Sequence, residues 1–237
     1  MTVTTTSPRA RTDRTSEPTP APPPVERGSR PLAVLLLAAP LLLAGSIALH
    51  PDDRHGVERT ITAIGGDDGL QWAVVHLLEP AAWALMGVTL LLALPRMAGR
   101  RGRGLLTSAG VASAIGFTAL AMLVYGHGEA FRHMAATDVD PVVYDALFRQ
   151  FEVGMPLAAL PSLLGRVGLL LGTIGLVRAR TVPLWAALPM VVPAVLLGSG
   201  GGLPPVVGLT LLLGPLVLSL AFVARRVAST GGPALGR

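Results

Sequence analysis

A chain of 237 residues that is 51% apolar and only 14% charged is too apolar for an ordinary soluble domain, whose residues are about 25% charged. All 19 basic residues are arginine, which excludes a Walker phosphate loop, and with no cysteine there is no disulfide, thiolate metal site or thiol nucleophile. The net charge of +5 comes from arginines in the connectors between apolar runs, not from a basic soluble face, so nucleic acid is not an expected partner.

Residues 1–30 are rich in Thr, Pro, Ser and Arg. They bury too little apolar surface to fold and read as a disordered cytoplasmic tail. Six apolar runs follow, near 31–49, 70–94, 104–126, 156–177, 183–198 and 203–224. Most are close to the roughly 20 residues that cross a bilayer as helix. The expected fold is therefore all-α: a six-helix transmembrane bundle over 31–226, with a cytoplasmic tail at 227–237. The runs are continuous, not alternating, which argues against a closed barrel. Ser46-Ile47-Ala48 resembles a cleavage site, but the long preceding tail and the length of the run favour a retained first span. The fifth run is short and contains Pro189 and Pro193.

Charge sorts the connectors. Arg9, Arg11, Arg14, Arg27 and Arg30 precede the first run, and Arg96, Arg100, Arg101 and Arg103 follow the second. Arg178 and Arg180 follow the fourth run, while Arg225, Arg226 and Arg237 close the chain. The opposite connectors hold only Arg54, Arg59, Arg132 and Arg149, and they carry most of the acidic residues. By the positive-inside rule both termini are cytoplasmic in a plasma membrane. The use of arginine alone, with abundant Ala, Gly, Pro and Val, fits a GC-rich bacterial genome.

Two longer connectors, near 50–69 and 127–155, then face outward. Asp140-Pro141 reads as a helix start, and Val143, Leu147 and Phe151 recur at helical spacing through Val153. A short outer amphipathic helix is expected there. Asp68 with Gln71 reads as a capping box opening the second span.

All five histidines lie on this outer side or just beneath it: His50, His55, His127, His133, and His76 two turns into the second span. Imidazole binds metals and titrates near neutral pH. His50, His55, His127, Glu129 and His133 are the candidate ligands for a divalent metal, without any strong metal signature, and the same group is a candidate pH sensor. Haem is not expected, because the sequence shows no histidine pair on facing helices. Solvated or helix-capping histidines are the plainer reading.

Within the spans the polar candidates are His76 and Glu79, three residues apart and followed by Pro80. Proline has no N–H for the His76 carbonyl, so the helix is expected to bend there. Glu79 needs a partner inside a membrane. Arg166 lies at a matching depth, about 15 Å against about 13 Å, so an intramembrane Glu79–Arg166 pair is expected.

Gly165, Gly168, Gly172 and Gly175 form a smooth stripe on the fourth span. Ala109, Ala112, Ser113 and Gly116 give the third a small-residue face. The two are expected to pack, with a homodimer through the fourth span as the competing use.

Trp72-x3-His76 and His50-Pro51-x-Asp53 together resemble multi-pass membrane proteins of GC-rich bacteria. The resemblance covers the first two spans and implies a polytopic fold but no activity. The expectation is thus a non-enzymatic membrane protein that binds or senses protons or a divalent metal at its outer face. The alternatives are a small proton-coupled transporter using Glu79, Arg166 and His76, and a metal-dependent membrane enzyme.

Overall fold

The computed structural model describes residues 30–51, 57–98, 102–137, 140, 142–143, 146, 160–196 and 205–229, the last segment with its side chains from Leu213 onward. Every regular element among them is helical. The helices are α1 (Arg30–Ala48), α2 (Val57–Gly65), α3 (Gly69–Arg96), α4 (Arg103–Thr137), α5 (Leu163–Ala179, entered through a 3-10 turn at Leu160–Ser162), α6 (Leu184–Ala187), α7 (Val191–Leu196) and α8 (Pro205–Ser229). Among the described residues, four helices, α1, α3, α4 and α5 with its entry turn, are long and apolar enough to cross a membrane.

The boundaries differ from the sequence reading in physically explicable ways. Helix α4 does not stop near Gly126 but runs 35 residues to Thr137, because Gly126 and Gly128 are isolated and no proline interrupts the segment. At 1.5 Å per residue it is about 52 Å long, more than the ~30 Å hydrocarbon core. Its last turns therefore carry His127, Glu129, Arg132 and His133 as helix where a connector was expected. The apolar run at 184–196 is broken into α6, a 3-10 turn at Leu188–Met190, and α7. Pro189 and Pro193 lie at and just beyond that turn, where their missing N–H groups weaken a continuous ladder.

The capping box is not formed. Asp68 makes no side-chain cap hydrogen bond, and Gln71 Nε2 instead donates to the Leu49 carbonyl at 2.6 Å, tying the start of α3 to the end of α1. The outer helix expected over 140–153 lies outside the described residues apart from Asp140, Val142, Val143 and Ala146. There, Asp140 Oδ1 accepts the Val142 N–H at 2.9 Å. The expected tail at 1–30 lies outside them except for Arg30. A helix the sequence reading did not anticipate, α2, covers the connector between α1 and α3. Its Ile64 is buried with Trp72, Phe131 and Met134, and Ile61 packs against that group.

Helix α4 lies between α3 and α5. On the α3 side, glycines let the backbones approach: a methyl added at Gly87 would sit 3.1 Å from the Ala114 Cα, and one at Gly110 3.1 Å from the Leu91 Cα. On the α5 side the contact is closer still. A methyl on Gly116 would overlap the backbone of Gly165, and one on Gly168 would overlap Ser113. Gly175 meets Leu106, while Gly172 has ordinary contacts with Leu94 and Ala109. All four stripe glycines are buried. The main core continues through Leu36, Met86, Leu90, Leu106, Leu169, Leu176, Met190, Leu216 and Leu220, joining α1, α3, α4, α5, α8 and the 188–190 turn.

Two chemically distinct ends result. One holds the end of α1, the start of α3 and the late turns of α4, and is called the histidine end below. The other holds the exposed Arg30, Arg96, Arg103, Arg178 and Arg180, with Arg225 and Arg226 one turn beyond Phe222, whose ring meets Trp185 at 4.7 Å. It is the arginine end.

Candidate functional site

Three helices deliver side chains to one point at the histidine end. Helix α1 stops at Ala48, which leaves His50 just past its last turn. Helix α3 brings Trp72 and His76, four residues apart and hence on one face. Helix α4 brings His127, Gly128 and Phe131. At the centre, the Trp72 and His76 rings are stacked with centroids 4.0 Å apart. His50 meets both edge-on, at 5.5 Å from Trp72 and 5.0 Å from His76. His127 lies 6.3 Å from His76 and 4.8 Å from Phe131, which in turn is 5.5 Å from Trp72.

Hydrogen bonds fix the orientation of this group. Trp72 Nε1–H donates to the Gly128 carbonyl at 3.1 Å, a buried link between α3 and α4. His76 Nδ1 is 3.0 Å from the Trp72 carbonyl, and His50 Nδ1 is 2.8 Å from the Pro51 carbonyl. A carbonyl only accepts, so each Nδ1 carries a proton in these bonds and each neutral ring presents Nε2 as its acceptor. Gly128 is required by the packing, because a methyl there would fall on the Cβ, Cγ and Cδ2 atoms of His76. Trp72 is 1% exposed and His76 5%. Polar rings this enclosed must be matched by partners.

The five expected ligand positions are not equivalent in space. His50 and His127 join His76. His133 is exposed on α4, and Glu129 forms an exposed ion pair with Arg132 at 2.7 Å. That carboxylate raises the Arg132 guanidinium above its ordinary pKa, first through the hydrogen bond and then through charge. His55 lies outside the described residues. Among the described residues no group of three or more His, Asp or Glu side chains is arranged to hold a metal ion. His76 and His127 do stand on facing helices, contrary to the sequence reading.

Deeper along α3, Glu79 is half-buried and accepts a hydrogen bond from Trp83 Nε1 at 3.4 Å. Trp83 stacks on Phe117 of α4 at 5.4 Å, and the Phe117 ring edge lies 3.0 Å from where a Gly165 methyl would be. Arg166, half-buried, is the next residue along α5. Glu79 is thus engaged by Trp83 on its own helix, while Arg166 stands on α5, which packs mainly on α4.

The sequence groups the histidines on one side of the membrane without revealing that Trp72 organises three of them. A usable signal was present. Trp72-x3-His76 and His127-x3-Phe131 are both aromatic pairs at helical spacing, and Gly128 inside the second marks a close approach. No known family model, curated protein or solved structure matches this chain, so function is argued from these contacts alone.

Proposed function

We propose that the chain is a non-enzymatic polytopic protein of the bacterial plasma membrane that binds protons at its extracytoplasmic face through His50, His76 and His127. The observation that carries this is the gathering of three imidazoles from three helices around one buried tryptophan, with His76–His50 and His76–His127 centroids at 5.0 and 6.3 Å. In this reading α1, α3, α4 and α5 are four spans, and the broken stretch 184–196 and α8 supply two more. The arginine end then faces the cytoplasm with both termini, as the distribution of arginine favours.

Neutral imidazoles pack against one another as they do here, and a single added proton is compatible with the cluster, since an imidazolium over the Trp72 face gains a cation–π attraction. A second is opposed. Two unit charges 5.0 Å apart repel by about 3 kcal/mol at an effective dielectric constant of ~20. Among the described residues, the charged groups on the surrounding elements are Glu58 and Arg59 of α2, Asp67 and Asp68 of the turn before α3, and Glu129 and Arg132 of α4, all at least partly exposed, with Glu79 one turn deeper on α3. Acidification therefore loosens the contact between the end of α1 and the start of α3. Residue Gln71 and its bond to Leu49 mark the place where that change is felt.

The test is Trp72 emission in the purified protein carrying W83F and W185F. Emission falls as pH drops from about 8 to about 5, and H76Q removes the change. A flat response in the parent would overturn the reading.

A divalent cation on the same imidazoles is the second reading. It is favoured by the Nδ1 bonds of His50 and His76 to backbone carbonyls, the arrangement that orients metal-ligating histidines. It needs a further ligand from outside the described residues, for which the sequence offers His55. Metal analysis of gently purified protein decides it: a stoichiometric transition metal lost in H76Q supports it, and its absence sinks it.

A further inference from the structure

We propose that the arginine end holds a specific site for the phosphate of an anionic phospholipid, built by Arg103, Arg178 and Arg180 where the α3–α4 turn seats on the last turn of α5. The proposal rests on the membrane reading above. Its first observation is a close backbone approach. Gly102 has φ 97°, and a methyl there would lie 3.0 Å from the Gly175 carbonyl oxygen and 3.3 Å from the Ala179 Cβ. Glycine alone suits both that dihedral and that gap. The contact seats the start of α4, where Arg103 follows Gly102, on the last turn of α5, where Arg178 and Arg180 flank Ala179 in sequence.

The second observation is the backbone of Arg180, the non-glycine residue with positive φ among those described, at 54°. Its N–H closes α5 on the Leu176 and Val177 carbonyls. Glycine or asparagine is the usual occupant of such a cap. An arginine held there is strained, and strained positions gather at binding sites.

Third, these charges have no carboxylate facing them among the described residues. All three arginines are exposed, and among the described residues the arginine end carries no aspartate or glutamate. Arg96 is differently occupied, its guanidinium donating to the Leu92 carbonyl of its own helix at 2.5 Å. Trp185, 60% exposed, lies five residues past Arg180 with its ring against Phe222, a placement typical of the headgroup level. Guanidinium forks match phosphate oxygens in pairs, and a phosphodiester at the membrane surface is the anion that three arginines at this level would meet.

The experiment reconstitutes the full chain in phosphatidylcholine nanodiscs doped with phosphatidylglycerol and counts co-purifying lipid by native mass spectrometry. Failure to enter neutral bilayers at all would defeat the membrane reading itself. Entry without enrichment of phosphatidylglycerol would overturn this inference alone. The expected result is enrichment over phosphatidylcholine that falls about tenfold or more in R178Q/R180Q and survives in R225Q/R226Q, which removes the same charge from α8. Equal losses from the two pairs would reduce the effect to diffuse surface charge and overturn the site. R178K/R180K controls for folding and is expected to retain part of the enrichment; if it loses as much as R178Q/R180Q although folded, paired guanidinium contacts and not charge carry the site. Displacement of the lipid by inorganic phosphate at matched concentration would also overturn the lipid assignment.

Discussion

The seam between α4 and α5 and the cluster at the histidine end are built by opposite means. The seam depends on missing side chains: Gly116, Gly165 and Gly168 bring two backbones together. The cluster depends on large rings that fill the space where α1, α3 and α4 meet, with a missing side chain at Gly128 where the His76 ring sits. A seam of this kind is intolerant of added atoms and indifferent to pH. A ring cluster with three imidazoles tolerates modest changes of shape and responds to charge.

The largest effect is expected where the seam is tightest. Gly116→Ala drives a methyl into the Gly165 backbone and should destabilise by about 3 kcal/mol or more, read as loss of monodisperse folded protein in detergent. Gly172→Ala, whose methyl meets only ordinary contacts beginning at 3.5 Å, should stay within about 0.5 kcal/mol of the parent. If both behave alike, the seam does not hold the two helices as described. Gly128→Ala transfers the same test to the cluster. Its methyl lands on the His76 ring, which can shift, so a cost of about 2 kcal/mol is expected, along with an altered Trp72 emission that no seam variant shows.

Trp72→Phe keeps an aromatic ring but removes both the indole N–H that satisfies the Gly128 carbonyl and part of a fully buried side chain, so the hydrogen bond accounts for only the lower bound of the cost. Thermal unfolding should report a loss of about 1 to 1.5 kcal/mol or more. The smallest effect concerns the deeper polar pair. A direct Glu79–Arg166 ion pair would give a double-mutant coupling of about 3 kcal/mol. With Glu79 engaged by Trp83 Nε1, E79Q and R166Q should instead couple by less than about 1 kcal/mol.

The two regions were also unequally legible in the sequence. Apolar runs, arginine counts and the step of Gly165, Gly168, Gly172 and Gly175 are local or periodic, so they can be read without knowing which helix comes next. The partner of that stripe, and the rotation of each helix about its own axis, are not local. Depth along a span is countable from the sequence, which sets Glu79 and Arg166 at one level, but azimuth is not, and it is azimuth that turns Glu79 toward Trp83. The same ignorance grouped Glu129 and His133 with His50 and His127, although a two- or six-residue step from His127 turns a side chain away from the face that meets α3. Helix α2 escaped notice because nine residues with Glu58 and Arg59 among them look like a polar connector until Ile61 and Ile64 find α4. The extension of α4 to Thr137 was hidden by assuming that a helix ends where its apolar run ends.

The most direct measurement is a histidine-selective NMR titration of the full chain, with ¹⁵N in the imidazole rings, comparing the parent with H76Q. The proton-binding account predicts that His50, His76 and His127 respond to pH as one coupled group in the parent, and that the His50 and His127 curves change together in H76Q. Three independent curves, or His50 and His127 curves unaltered by H76Q, would contradict it.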